Sequence, residues 1–297
     1  MGCDIRWKVV TYMIIQHNIP GINSSRNKGI TEGKLKKNLE KLSSGYRINR
    51  AGDDAAGLAI SELMRSQIRG LDQAMNNVND GISMTQTGDG ALNEIHAMLE
   101  RMKTLAVQSA NGTYTTQARE NLDAERVQLL DEIDRISQTA DFDDIPLFTY
   151  ATEPPKGMIE FNPPDKDDEI TLQIGPFSQE LLDVPRYYLS KEALKLEETD
   201  FTTLEAAGES IDMINNAIQA ISEIRASFGA AQNHLEHTHN NLSVTNENMT
   251  SAESQIRDTD VAQEFTTYTK DNIMYQAANS MLAQANSLPQ TILSLLQ

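Results

Sequence analysis

The sequence is poor in aromatic residues, cysteine and positive charge, and each shortage excludes a class of protein or partner. Aromatic residues make up 5% of the 297 positions, and Cys3 is the single cysteine. One cysteine excludes a disulfide within the chain. No apolar run approaches the ~20 residues that a membrane-spanning helix needs. The 25 basic and 43 acidic residues give a net charge of −18, which disfavours nucleic acid and anionic membranes as partners.

Proline is almost absent from the two flanks of the chain and is concentrated in the middle. Seven of the nine prolines lie between Pro146 and Pro185. Because proline removes a backbone donor and breaks helices, this clustering divides the chain into three parts. We expect helices on both flanks and irregular or β structure between them.

The C-terminal flank carries an apolar residue at every seventh position from Ile214 to Ile256. A second track, three residues further along, holds small or moderate residues. A heptad sustained in this way is typical of a coiled-coil seam, in which one helix lies along another. The pattern predicts a long helix over 204–256 that needs a helical partner of matching length.

The N-terminal flank supplies that partner. Apolar residues alternate four and three apart over 64–82 and again over 92–106, with an interruption at 88–90. Turn residues at 111–113 end this helix. A second helix is predicted over 117–138. Its inward-facing residues are predicted to be Leu122, Val127, Leu130, Ile133 and Ile136. These helices have enough apolar surface for an antiparallel three-helix bundle.

The middle of the chain predicts one hairpin. The segments 158–161 and 170–174 have strand-like sequences, and the second alternates cleanly. Polar residues at 162–168 form the predicted turn. The following segment, 178–203, is interpreted as a loose connector.

The two ends of the chain carry apolar stripes that a three-helix bundle cannot bury. The N-terminal stripe consists of Leu35, Leu39, Leu42 and Tyr46. The C-terminal stripe includes Met281, Leu282, Leu288, Ile292 and Leu295. Exposed apolar stripes are a liability unless something covers them. Either the two ends pair only with each other, or the pair also contacts other copies of the chain.

Long stretches near both ends resemble bacterial flagellin. The N-terminal stretch at 42–58 reads LSSGYRINRAGDDAAGL. The other matching stretches are 67–71, 80–83, 105–112, 132–136, 254–260 and 281–286. The resemblance covers nearly everything from Met13 onward except the proline-rich middle. Residues 1–12 precede the usual start of the family and are interpreted as an upstream extension.

The resemblance implies a mainly α fold: an elongated antiparallel coiled-coil bundle with a small β-hairpin region and paired terminal helices. Residues 13–46 and 257–297 would form the two halves of an inner helical domain. Residues 47–140 and 204–256 would form the bundle, and 141–203 would replace the family's variable outer domain. Within 45–57, three glycines would permit turns at a joint, and Asp53 or Asp54 would cap the long helix.

The family's function is to polymerise into the flagellar filament, outside the cell. The implied partners are other copies of the chain, an export chaperone and apparatus, and the cap and junction proteins of the filament. The residues expected to serve polymerisation are Leu35, Leu39, Leu42, Arg47, Arg50, Met281, Leu282, Leu288, Ile292 and Leu295. The two arginines are expected to pair with carboxylates of a neighbouring subunit.

The family also carries a recognition site for Toll-like receptor 5. Its pattern falls on Arg101, Leu105 and Glu125, with Thr104 in place of a more usual acidic residue. Arginine is a preferred interface anchor because its planar fork makes several hydrogen bonds. The alternative is that Leu105 belongs to the bundle seam and Arg101 is a solvated charge.

Two other functions compete with the filament subunit. A hook–filament junction protein would share related ends, and an enzyme-bearing flagellin would carry a peptidase insert. No zinc motif or phosphate-binding loop occurs in the sequence, so we expect neither catalysis nor a cofactor. His234, His237 and His239 do not have the spacing of a zinc site, and a solvated or partly buried helix face is the preferred interpretation.

Overall fold

The structure is a computed structural model that describes residues 17–149 and 169–295. In these ranges the chain forms five helices and six short strands. The helices are α1 (Ile19–Ser44), α2 (Ala55–Ser109), α3 (Thr116–Thr139), α4 (Leu204–Arg257) and α5 (Val261–Leu295). The strands are β1 (Asp141–Phe142), β2 (Ile145–Pro146), β3 (Phe148–Thr149), β4 (Glu169–Gln173), β5 (Leu181–Pro185) and β6 (Tyr187–Tyr188). The predicted mainly α class is confirmed.

The chain forms two compact units, which are described separately. The described residues up to Arg65 and from Thr250 onward form the terminal unit, and Ser66–Met249 form the bundle unit.

The bundle unit has an apolar core from α2, α3 and α4 in two clusters, a larger one that includes Phe228 and a smaller one that includes Leu235 and Leu242. The predicted heptad of α4 contributes its buried residues Ile214, Ile221, Phe228, Leu235 and Leu242. The bounds of α3 and α4 lie within one residue of the predicted ones. Helix α3 runs antiparallel to α2. Two contacts show this: Arg101 pairs with Glu125, and the carbonyl of Ser109 accepts a hydrogen bond from Arg119.

The prediction is wrong for one core residue of α3. Val127 is exposed, and its neighbour Arg126 is buried instead. The Arg126 guanidinium donates to the Asp123 carboxylate at 2.6 Å and to Thr199 Oγ1 at 3.2 Å, and lies over the Phe201 ring at 5.6 Å. These partners offset the cost of burying a charge.

Helix α2 runs without a break through 88–90, where the sequence predicts an interruption. Gly88 is buried, and a Cβ atom there would lie 2.5 Å from the Phe228 ring. Asp89 accepts a hydrogen bond from Arg225 at 2.9 Å. Gly88 therefore makes room for an aromatic side chain and does not end the helix.

The segment interpreted as a loose connector, 178–203, is ordered and packed, so that interpretation is wrong. Strand β5 pairs antiparallel with β4, and β6 pairs in parallel with β3. Its side chains also enter the bundle core. The buried apolar residues of this segment are Val184, Leu189, Leu194, Leu196 and Phe201. Asp134 of α3 holds the segment by accepting a hydrogen bond from Lys191 N at 2.9 Å.

Within the described residues, the second strand of the predicted hairpin pairs with β5. The segment 170–174 contains most of β4, whose register against β5 places Leu172 opposite Leu182. The other predicted strand, 158–161, and the turn at 162–168 lie outside the described residues. So do residues 1–12.

Candidate assembly surface and surface helix pair

Helices α1 and α5 of the terminal unit pack against each other as a two-helix coiled coil. On α1, seven of the less exposed positions follow one another three and four apart, as a seam requires, and Glu32, Glu40 and Lys41 are half-buried beside them. The seven are Gly21, Ser24, Lys28, Thr31, Leu35, Asn38 and Leu42. The facing positions of α5 follow the same rule. They are Glu264, Tyr268, Asp271, Tyr275, Ala278, Leu282 and Ala285.

The most buried positions of this seam are small or polar rather than large and apolar. Asn38 is 7% exposed and Asp271 is 6% exposed, and Asn38 Nδ2 donates to Asp271 Oδ2 at 2.8 Å. At the far end of the pair, Asn18 Nδ2 donates to the carbonyl of Ala285 at 2.7 Å, while Asn18 Oδ1 caps α1. Hydrogen bonds of polar side chains therefore join α1 and α5 at defined positions.

Large apolar side chains of the terminal unit lie on its outside. The exposed ones are Ile19, Ile22, Ile30, Leu39, Ile60, Leu63, Val261, Phe265, Ile273, Met274, Met281 and Leu288. We call this set the outer apolar surface. A soluble protein rarely exposes so many large apolar residues in one unit unless a partner covers them.

The eight apolar residues predicted to serve polymerisation fall into three groups. Leu39, Met281 and Leu288 belong to the outer apolar surface. Leu35, Leu42 and Leu282 are half-buried on the seam. Ile292 and Leu295 lie in the last turns of α5, past the described side chains, which end at Thr291.

The two predicted arginines have partners within the chain. Arg47 Nη2 donates to the carbonyls of Gln255 and Ile256 at 3.3 and 2.6 Å, and so satisfies carbonyls at the end of α4. Arg50 Nε donates to Glu40 Oε1 at 2.8 Å, and that carboxylate raises the pKa of the Arg50 guanidinium. Their pairing with a neighbouring subunit stays a prediction.

The segment between α1 and α2 contains the cap that ends α1 and the cap that begins α2. Gly45 ends α1 with φ +76°, a conformation that favours glycine. Asp54 caps α2 by accepting a hydrogen bond from Gly57 N at 2.9 Å. Gly57 lies in the helix and makes no turn. A Cβ atom there would lie 2.5 Å from Asp54 Oδ2, so a larger residue would push the capping carboxylate aside.

The two chain segments of this joint are tied to each other. Arg47 N donates to the carbonyl of Arg257, and Thr259 N donates to that of Gly45, at 2.7 and 3.0 Å. The Arg257 guanidinium lies 4.8 Å from the Tyr46 ring centroid and donates to Glu62 Oε1 at 2.6 Å. Sequence reasoning missed Arg257, because its partners are nearly 200 residues away.

In the bundle unit, α2 and α3 place Arg101 and Glu125 side by side. Arg101 Nε donates to Glu125 Oε1 at 2.8 Å, and both side chains are well exposed. The Glu125 carboxylate raises the pKa of the Arg101 guanidinium. Leu105 is 1% exposed and lies in the core. The exposed part of this predicted recognition site is therefore the ion pair, whereas Leu105 belongs to the bundle core.

Neither a metal centre nor a membrane span is found among the described residues. No three His, Cys, Asp or Glu side chains of 17–149 and 169–295 are grouped closely enough to hold an ion. The same ranges contain no helix that is long and apolar enough to cross a bilayer.

Family comparisons match both helical flanks. A family profile described as "Bacterial flagellin N-terminal helical region" matches residues 15–152, and one described as "Bacterial flagellin C-terminal helical region" matches 211–296. Flagellin of Halalkalibacterium halodurans is 48% identical over 287 residues, which is 96% of this chain and the whole of the relative. The chain belongs to the bacterial flagellin family.

Other similarities agree with this assignment. The flagellar filament 33 kDa core protein of Treponema phagedenis is 41% identical, over 96% of this chain and all of that protein. A solved structure of a Vibrio parahaemolyticus protein assigned as flagellar hook-associated has a TM-score of 0.55. It covers 69% of this chain and all of its own, at 13% identity, so this likeness concerns the fold alone. The junction-protein alternative is therefore not favoured.

Flagellins are structural proteins, and this chain is a short form of the family. Its match extends over the full length of relatives that have about its own size. It matches them without a large outer domain in the middle of the chain.

Proposed function

We propose that this chain is a structural, non-catalytic subunit that polymerises with copies of itself into the bacterial flagellar filament. The observation that carries the proposal is the inverted arrangement of the terminal unit. The most buried positions of its seam are small or polar, whereas most of its large apolar residues belong to the outer apolar surface. Burying each of these side chains against a neighbour would contribute about 1.5–3 kcal/mol at most.

A second copy of the chain fits this surface better than a different partner does. The exposed residues run along both helices, from Ile19 to Leu39 and from Val261 to Leu288, as expected if neighbours pack along the length of the pair. Contacts between unlike faces of identical subunits, when they do not close into a ring, generate a helical filament.

The proposal includes a location and further partners. A filament subunit works outside the cell, as part of the flagellum, after delivery by an export apparatus with its chaperone. The single cysteine, Cys3, is compatible with passage as an unfolded chain, because no disulfide within the chain could block it. Filament cap and junction proteins would contact the same assembly.

Seeded elongation tests the proposal. Purified monomer is added to sheared filament fragments, and growth is followed by light scattering and electron microscopy. We expect the wild type to elongate the fragments. Ile273→Glu, which places a charge in the outer apolar surface, should lose elongation while the helical circular dichroism of the monomer stays unchanged.

The matched control is Gln276→Glu, which adds the same charge to an exposed polar position of the same helix. This variant should elongate the fragments as the wild type does. The proposal is wrong if the wild type does not grow, or if Ile273→Glu grows at the wild-type rate.

We also propose that the Arg101–Glu125 pair is recognised by Toll-like receptor 5. The supporting observation is that the two charged groups are exposed and hydrogen-bonded to each other on neighbouring helices. Such an ordered pair offers a partner a prearranged donor fork and an acceptor.

Binding of the monomer to the receptor ectodomain, measured by surface plasmon resonance, tests this second function. Arg101→Ala and Glu125→Ala should weaken binding without a change in the thermal unfolding midpoint. Arg135→Ala is the control, because Arg135 is also exposed and paired with a glutamate on α3. Equal binding by Arg101→Ala and wild type would refute the role of the pair.

A further inference from the structure

The turn between α2 and α3 contains a dipeptide that occurs once in the chain. Asn111 is the only asparagine in the sequence that is followed by glycine. Both Asn111 and Gly112 are exposed and lie outside the helices. Glycine has no side chain to shield its backbone nitrogen, so the nitrogen of Gly112 is open to a reaction with the preceding side chain.

The Asn111 side chain folds back over the residues that follow it. Asn111 Oδ1 accepts a hydrogen bond from Thr113 N at 3.3 Å. This Asx-type turn holds the side-chain amide over the following peptide unit. Within the described part of the chain, the backbone N–H of Gly112 donates no hydrogen bond, so none has to be broken before it reacts.

We propose that Asn111 is a site of spontaneous deamidation through a cyclic imide. Gly112 N loses its proton to solvent base and attacks Asn111 Cγ. The Cγ–Nδ2 bond breaks, and the amide nitrogen leaves as ammonia after taking up a proton. Water then adds to either carbonyl of the imide and opens the ring to aspartate or isoaspartate. Water is the only co-reactant, and no atom is oxidised or reduced.

The other asparagines that precede a small residue are held differently. Asn23 lies within α1, Asn216 within α4, and Asn279 and Asn286 within α5; Ala217 follows Asn216, and serine follows the other three. In a helix the following N–H is bonded to a carbonyl four residues earlier, and the backbone cannot form the imide ring without unwinding. The reaction should therefore be selective for Asn111.

The surroundings of Asn111 distinguish the two products. Arg119 donates to the carbonyls of Ser109 and Asn111 at 3.0 and 3.3 Å. A new carboxylate in ordinary aspartate would lie near this guanidinium and be favoured by it. Isoaspartate instead reroutes the main chain through the side chain. It displaces the Asn111 carbonyl that also accepts a hydrogen bond from Tyr114 N.

Isotope labelling tests the proposal in the folded protein. The purified chain is incubated at neutral and at alkaline pH in water enriched in oxygen-18, then digested in ordinary water at acidic pH. We expect the peptide containing Asn111 to gain the mass of a carboxylate carrying the heavy isotope, faster at the higher pH. Label in that peptide marks a reaction that preceded digestion.

Two comparisons keep the test decisive. Gly112→Ala should lose the modification, and the structure accommodates it because the added Cβ atom would lie 3.9 Å from Leu204 Cδ1. The same incubation in urea gives the behaviour of the unfolded chain. The proposal is overturned if the folded wild type stays unlabelled, whether or not the unfolded chain reacts, or if Gly112→Ala is labelled as fast as the wild type.

Discussion

The two units of this chain place their apolar side chains in opposite ways. The bundle unit buries large residues such as Leu99, Ile214 and Phe228 in a continuous core. The terminal unit exposes most of its large apolar residues, with Ile48 as a buried exception, and its seam contains the buried Asn38–Asp271 pair. Hydrophobic burial within one copy therefore accounts for the stability of the bundle unit, whereas the terminal unit keeps much of its apolar surface available to other copies.

The difference teaches that a coiled-coil seam need not be apolar. A buried polar pair contributes less stability than packed apolar residues, but it penalises arrangements in which its groups lose their partners. In the proposed filament subunit, such a seam would let α1 and α5 pair while the outer apolar surface stays free for neighbouring copies.

The largest expected effect comes from a cavity in the bundle unit. Leu99→Ala removes a fully buried side chain and should lower the free energy of unfolding by about 2–5 kcal/mol. Urea unfolding followed by circular dichroism measures it. Val107→Ala changes an exposed residue of the same helix and should stay within about 0.5 kcal/mol of the wild type. Equal losses of unfolding free energy in both variants would contradict the claim that buried apolar residues stabilise the bundle unit.

A smaller effect is expected from the polar pair of the terminal unit. Asp271→Ala leaves the buried Asn38 amide without its acceptor, which should cost about 1–3 kcal/mol. Hydrogen exchange should show lower protection in α1 and α5 and no change in Ser66–Met249.

The double variant Asn38→Leu with Asp271→Leu sharpens the same comparison. Replacing both partners by apolar groups removes the unpaired donor, so this variant should be more stable than Asp271→Ala. If Asp271→Ala keeps wild-type protection in both helices, the pair does not hold the seam.

The smallest effect concerns an ion pair that anchors 190–203 in the bundle unit. Lys191 Nζ lies 3.4 Å from Asp134 Oδ2, and a hydrogen bond to that carboxylate raises the pKa of Lys191 above its ordinary value of 10.5. A raised lysine pKa adds stability that is fully present below the ordinary value and is lost as the pH rises through the raised one.

Lys191→Met should therefore be less stable than the wild type by about 1 kcal/mol at neutral pH. This difference should shrink towards zero as the pH exceeds the raised pKa of Lys191. Urea unfolding of both proteins across the alkaline range measures it. A difference that persists unchanged at high pH would show that Lys191 acts through packing rather than charge.

Regular patterns in the sequence predicted the regular parts of the fold. The heptad from Ile214 to Leu242 identified the buried face of α4, because repeated burial of one helix face leaves a repeated apolar residue. The same reasoning placed Val127 in the core, and it was wrong because Arg126 finds its partners at Thr199 and Phe201. A local pattern cannot reveal partners that are far away in the sequence.

The candidate assembly surface was predicted only in part. The apolar stripes of the sequence include Leu39, Met281 and Leu288, which are exposed. They do not include Phe265 and Ile273, because the residues between these two, 266–272, are polar apart from Tyr268 and hide the apolar spacing. Of the seam they include only Leu35, Leu42 and Leu282, since its small and polar positions have no apolar period.

Methionine oxidation in monomers and in filaments tests the central claim most directly. Met281 is 63% exposed on the outer apolar surface, and Met102 is 0% exposed in the bundle core. With a brief peroxide pulse and mass spectrometry, Met281 should oxidise readily in the monomer and become protected in filaments. Met102 should stay protected in both. Equal oxidation of Met281 in monomer and filament would contradict the claim that other copies cover this surface.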